Sequence, residues 1–126
     1  MTNREPITTS GAPGAIGPYS QAIKSGNTLY ISGQLPIDMA TGSYPAAIAD
    51  QARCCLSNLD AIAKQAGTSL QNAVKVTVFL TDMNDFAEMN SAYTEFFPGT
   101  PPARSCIAVV GLPKNAEIEI EAIVAC

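Results

Sequence analysis

The fold turns on one stretch, Ala73-Val74-Lys75-Val76-Thr77-Val78-Phe79-Leu80-Thr81. It is rich in β-branched residues, and it alternates so that Val74, Val76, Val78 and Leu80 share one face while Lys75, Thr77 and Phe79 share the other. Helix-period sequence stands on both sides of it. Upstream, Ile48, Ala52, Cys55, Leu59, Ile62 and Ala66 recur at steps of three and four, drawing one apolar stripe that Gly67 stops at the C′ position. Downstream, Asp85 and Glu88 form a D-x-x-E start that resembles a capping box. Phe86, Met89, Tyr93 and Phe96 then follow at helical spacing until Pro98-Gly99. Each helix-sized segment precedes a strand at crossover length, so part of the sheet is expected to be parallel, with both helices on one face.

Further out, Tyr19 to Lys24 and Thr28 to Ser32 read as two strands around a Ser25-Gly26-Asn27 turn. Ala103 to Val110 reads as a strand, and Glu117 to Val124 alternates strictly. In that last strand Ile118, Ile120, Ala122 and Val124 face one way, and Glu117, Glu119, Glu121 and Ile123 the other. The Gly- and Pro-rich first eighteen residues read as an extended arm that can add a strand. The predicted order is β-β-α-β-α-β-β. This is an α+β fold with a mixed sheet, in a single domain spanning residues 1–126.

Composition narrows the function. Charged residues are 14% and hydrophobic residues 47% of the chain, against about 25% charged in an average soluble domain. So few charges leave part of a small globule's surface to be covered by other subunits. There is no histidine, which removes Ser-His-Asp and Cys-His pairs, His-bearing zinc sites and an imidazole base. The net charge is −4, and no two of the seven Lys and Arg residues adjoin, so nucleic acid is disfavoured as a partner. The four cysteines, Cys54, Cys55, Cys106 and Cys126, form no C-x-x-C motif. Cys54 and Cys55 read as small packing residues on the first helix. With no signal-peptide pattern at the start and no apolar window long enough for a membrane span, a cytoplasmic protein is expected.

Two side chains stand out chemically. Arg104, at the junction of the Pro101-Pro102 turn and an apolar strand, is suited to hold a carboxylate by two parallel hydrogen bonds; a structural salt bridge is the alternative. Glu119 belongs to a period-2 run of glutamates that reads first as a solvated face. Partial burial among its apolar neighbours would instead raise its pKa and suit it to proton donation. Cys106 shares the strand face of Arg104 and, lacking a histidine partner, reads as a packing or pocket-lining thiol. Gly17-Pro18-Tyr19 and Ser32-Gly33-Gln34 each set a hydroxyl beside a glycine, where backbone N–H groups can approach a ligand; Tyr19 also reads as a core aromatic.

Four segments in order carry a resemblance. Gly14-Ala15-Ile16-Gly17-Pro18-Tyr19-Ser20-Gln21, Ile31-Ser32-Gly33-Gln34, Pro102-Ala103-Arg104-Ser105-Cys106 and Ile118-Glu119-Ile120-Glu121-Ala122 closely resemble the RidA (YjgF) family of imine deaminases, collinearly from about Thr8 to Val124. The resemblance implies a chorismate-mutase-like fold, a homotrimer with sites between subunits, and hydrolysis of 2-enamine or 2-imine acids without a cofactor. It also implies roles for particular residues: Arg104 holds the substrate carboxylate, and Glu119 is the acid. Tyr19, Ser32, Gly33, Asn90 and Cys106 bind substrate. The Phe97-to-Pro101 loop is shorter than in several relatives and Gly111 replaces a frequent larger residue, which bears on substrate breadth. Two other classes stay open at this point: a sensor of 2-oxo acids that uses the same arginine, and an RNA-cleaving translation inhibitor.

Overall fold

In the computed structural model, which describes residues 2–126, six strands and two α-helices follow in order. They are β1 (Glu5–Ile7), β2 (Ala22–Ser25), β3 (Thr28–Gln34), α1 (Ile48–Gln65), β4 (Ala73–Leu80), α2 (Phe86–Thr94), β5 (Ala103–Ala108) and β6 (Ile118–Ala125). They form one sheet of order β1-β2-β3-β6-β4-β5. β6 is antiparallel to both β3 and β4, and β4 is parallel to β5. β3, β4 and β5 therefore run the same way, with α1 and α2 as the crossovers between them. The mixed sheet and the arm strand β1 are as the sequence predicts. Gly26, at φ +60, takes the first position of the two-residue turn between β2 and β3, where a Cβ would be strained.

Alternation builds the core. Ile118, Ile120, Ala122 and Val124 of β6 and Val76, Val78 and Leu80 of β4 are at most 2% exposed. They meet Leu56, Leu59 and Ile62 of α1 and Met89 of α2 in one cluster. The other face of the sheet carries Tyr30, Thr77, Phe79, Glu119, Glu121 and Ile123, and no helix among the described residues covers it. No helix is long and apolar enough to cross a membrane among the described residues.

Four details differ from the sequence reading. Val74 does not join the inward face: Ala73 pairs with Val124 but Lys75 with Ile123, so the bulge turns Val74 out to 52% exposure. The capping box does not form, because Asp85 makes no side-chain cap. Asp82 accepts from the Asn84 N–H at 2.9 Å instead. Glu88 Oε2 accepts from the Ala49 N–H at 3.0 Å, capping α1, whose own N-cap residue is Ala47. Finally, β2 starts at Ala22 rather than Tyr19, and β5 stops at Ala108 rather than Val110.

Buried Gln21 ties the N-terminal arm to the sheet. Its Oε1 accepts from the Thr9 N–H at 2.7 Å, and its Nε2 donates to the carbonyls of Thr9 and Pro13 at 3.1 and 2.8 Å. Truncation would strand these groups, since a buried amide left unpaired is costlier than one never formed. Gln21→Ala is expected to destabilise the protein by about 2–3 kcal/mol. It should also open residues 8–14 to proteases, read by urea unfolding and limited proteolysis.

Candidate functional site

Arg104 is placed by register. β5 is an edge strand paired only with β4, and Arg104 lies opposite Val76 while Cys106 lies opposite Val78. Partners in a parallel ladder point the same way, so both side chains rise on the helix-covered face. There they meet α2. Phe86, Asn90 and Tyr93 stand at i, i+4 and i+7, one face of the helix. Arg104 Nη1 donates to Asn90 Oδ1 at 2.7 Å. Its guanidinium carbon sits 4.6 Å from the Tyr93 ring centre and 5.5 Å from that of Phe86, within range of cation–π attraction. Among the described residues Arg104 has no acidic partner. The ion pairs are Arg53 with Asp50 and Glu95, and Lys64 with Asp60. The structural salt bridge is thus not formed. The rest of the fork borders a cavity of about 460 Å³ lined by Asn90, Tyr93, Thr94, Phe97, Pro102 and neighbours.

Glu119 is placed by the same rule on the other side. It lies opposite Phe79 in the antiparallel pair of β4 and β6, on the helix-free face. The ladder between β3 and β6 is irregular between Ile31 and Gln34, and there Gly33 comes against it. A Cβ on Gly33 would lie 2.8 Å from Glu119 Cδ and 2.9 Å from Oε1. The glycine is what admits the carboxyl. Burial raises the Glu119 pKa above 4.5, and neighbouring Glu121 adds to the rise.

Ser32 Oγ donates to the Ser20 carbonyl at 2.6 Å. Tyr19 is 48% exposed, so it is no core aromatic. Tyr19, Ser32, Tyr30, Glu121 and Arg4 border a groove of about 550 Å³ on this face. Gly33, Tyr19 and Lys114 share a smaller hollow of about 150 Å³.

The seven expected residues therefore fall into two groups. Asn90, Arg104 and Cys106 share the helix-covered face, and Tyr19, Ser32, Gly33 and Glu119 lie across the sheet from them. A single chain does not bring Arg104 and Glu119 together. The Cys106 thiol is pushed up by burial, with Arg104 pulling the other way, and it packs against the core. Tyr93 and Phe86 escaped the sequence reading because their helical spacing marked them as core. Their offsets from Asn90 were the available signal.

Known proteins resemble this chain along nearly its whole length. The family model described as endoribonuclease L-PSP matches residues 9–126. The RutC family protein y4sK of Sinorhizobium fredii is 59% identical over 121 residues, covering 95% of this chain and 96% of its own. The 2-iminobutanoate/2-iminopropanoate deaminase of Escherichia coli is 50% identical, covering 93% and 94%. The crystal structure of E. coli TdcF with bound serine superposes with a TM-score of 0.92 at 46% identity, covering 97% and 98%. The fold is the chorismate-mutase-like one of these neighbours.

Gly33→Ala forces the Glu119 carboxyl aside and, because the displaced atoms are the end of a flexible side chain, should cost about 1 kcal/mol. The double variant with Glu119→Ala should recover most of that loss, measured as a double-mutant cycle by chemical denaturation. Additive losses would refute the contact. The raised Glu119 pKa also sets a pH trend. The folded chain holds this proton more tightly than the unfolded one, so stability is lost as pH rises through 4.5 towards the folded value. Glu119→Gln should therefore gain on the natural protein between pH 4 and pH 7, read by thermal unfolding at both.

Proposed function

The chain belongs to the RidA/YjgF/RutC family, which includes reactive intermediate deaminases; on that premise we propose that it hydrolyses short-lived 2-imino acids to 2-oxo acids and ammonia. One observation carries the reading. Arg104 is a guanidinium without an acidic partner among the described residues, fixed by Asn90 and two aromatic rings, with donors left over at a cavity. Such a fork suits a carboxylate. The serine bound to TdcF bears an α-carboxylate of this kind.

The reaction needs little else. With the carboxylate held by Arg104, C2 of the imine is fixed in position. Glu119, protonated to a higher pH than an ordinary glutamate, donates a proton to the enamine carbon or the imine nitrogen. A water then attacks C2, and the carbinolamine collapses to the 2-oxo acid as ammonia leaves. The regenerated carboxylate takes up the proton that water gives back. Tyr19, Ser32, Gly33 and Cys106 border the substrate in this scheme. No metal or cofactor takes part.

Because Arg104 and Glu119 lie on opposite faces of one sheet, the working site takes the first from one copy and the second from its neighbour. Two different surfaces meeting head to tail close into a ring, and a homotrimer with three sites is the ring proposed. The apolar residues on the helix-free face and the exposed Ile107 on edge strand β5 supply the contact. We place the protein in the cytoplasm, with all four cysteines unpaired. An RNA substrate, which the family model's description would suggest, is not supported: there is no histidine, the net charge is −4, and Arg53 and Lys64 are already paired with acids. Salt-independent failure to bind RNA is the expected result.

Arg104→Lys keeps the charge but replaces a planar fork by a point ammonium. It is expected to slow ammonia release from 2-iminobutanoate, generated in place by a threonine dehydratase, roughly 10- to 150-fold. Near-natural turnover would overturn the assignment. Sedimentation should give a trimer at micromolar concentration, and a stable monomer there would dismantle the shared site.

A further inference from the structure

Phe86 opens α2 and is 37% exposed. It stands outside the hydrophobic core, which takes Met89, Ala92 and Tyr93 from the same helix. Burial therefore does not account for an aromatic side chain at this position. Its ring lies against the Arg104 guanidinium, with 5.5 Å from ring centre to carbon. Tyr93, two turns further along the helix, meets the same group at 4.6 Å. The Tyr93 hydroxyl is enclosed and has no partner among the described residues, so what that side chain offers Arg104 is its ring.

Arg104 needs such support. It is half-buried on an edge strand, so no further strand flanks it, and no acid among the described residues holds it. The bond from Nη1 to Asn90 Oδ1 fixes one corner of the guanidinium. A single hydrogen bond leaves a long side chain free to swing about it. An aromatic face attracts a cation without accepting its hydrogen bonds. The rings therefore restrict the guanidinium while its unused N–H groups stay available. A group ordered before its ligand arrives does not have to be ordered at binding, and affinity gains accordingly.

We infer that Phe86 is a positioning residue, whose ring, together with that of Tyr93, holds the Arg104 fork in one orientation before the substrate carboxylate enters. The inference rests on the deaminase reading and gives a role to an exposed side chain that the motifs do not include. Phe86 acts through Arg104; the chemistry proceeds at C2.

Phe86→Leu removes the ring at an exposed site and leaves an apolar residue of good helix propensity, so Tm should hold. Binding of 2-oxobutanoate, the product of the proposed reaction, is expected to weaken about 3- to 10-fold by calorimetry. Phe86→Tyr returns a ring and should restore the affinity. A second readout needs no ligand. Rotation about the Arg104 Nε–Cζ bond, followed by ¹⁵N exchange between its two Nη atoms, should be faster in Phe86→Leu and slow again in Phe86→Tyr. The signals are assigned by Arg→Lys at 4 and 53, the other two arginines. Unchanged affinity in Phe86→Leu overturns the inference, whether or not Tm falls. Weaker binding with unchanged Nη exchange, or without rescue by Phe86→Tyr, overturns it as well. Arg104→Lys is measured alongside. If it loses 2-oxobutanoate and Phe86→Leu does not, the inference fails and the deaminase reading stands. If neither variant weakens binding, the reading beneath it fails too.

Discussion

The pleat of β6 governs the rest of the molecule. Successive side chains of a strand must point to opposite sides, and β6 is hydrogen-bonded on both edges, so its phase is imposed on β3 and β4 together. Ile118, Ile120, Ala122 and Val124 take the dry side, which leaves Glu119 and Glu121 no choice but the other. β4 passes the same phase to β5, and Arg104 inherits the side of Val76. A slip of one residue between β4 and β5 would turn Arg104 away from α2 and expose it beside the glutamates. Burying four apolar side chains of β6 fixes the phase of Glu119 and of β4, and the pairing of β5 with β4 carries that phase to Arg104.

Keeping Arg104 and Glu119 on opposite sides has an electrostatic result. Had they shared a face within one chain they would pair, and a guanidinium beside a carboxylate holds its pKa down. Instead Glu119 feels burial and Glu121, both of which push upward. Arg104 is steadied by a neutral amide and two rings, which hold it without cancelling its charge. Each charged group is thereby left uncancelled by the other within one chain.

How much of this could be read in the residues alone varied with the range of the interaction involved. Period-2 and period-3.6 patterns exposed the strands, both helices and the mixed sheet, because burial of a face writes itself into neighbouring positions. Val74 misled because its bulge arises from how β4 meets β6, which no run of residues 73–81 encodes. Glu88 misled in the same way. It sits where a capping box would need it, yet the free N–H it satisfies belongs to the other helix, 39 positions away. Arg104 and Glu119 were recognised through motifs, but their opposite orientation required the register of β4 with both neighbours. Phe86 and Tyr93 looked like any core aromatics, since contact with a guanidinium on β5 is a property of surroundings and leaves no trace in spacing.

The strand order carries one more consequence. β6, the strand latest in sequence, is central, so the sheet is assembled as β1-β2-β3 and β4-β5 with a gap that only residues 118–125 fill. During synthesis at about 5–20 residues per second, neither half can close its ladder until residues 118–125 have been made. The exposed edges of β3 and β4 must wait side by side, bridged by a single helix. Nascent chains halted before residue 118 would carry two open edges and an uncovered core, the form most prone to capture by chaperones or by one another. Synthesis of β6 is thus the event that lets the sheet close.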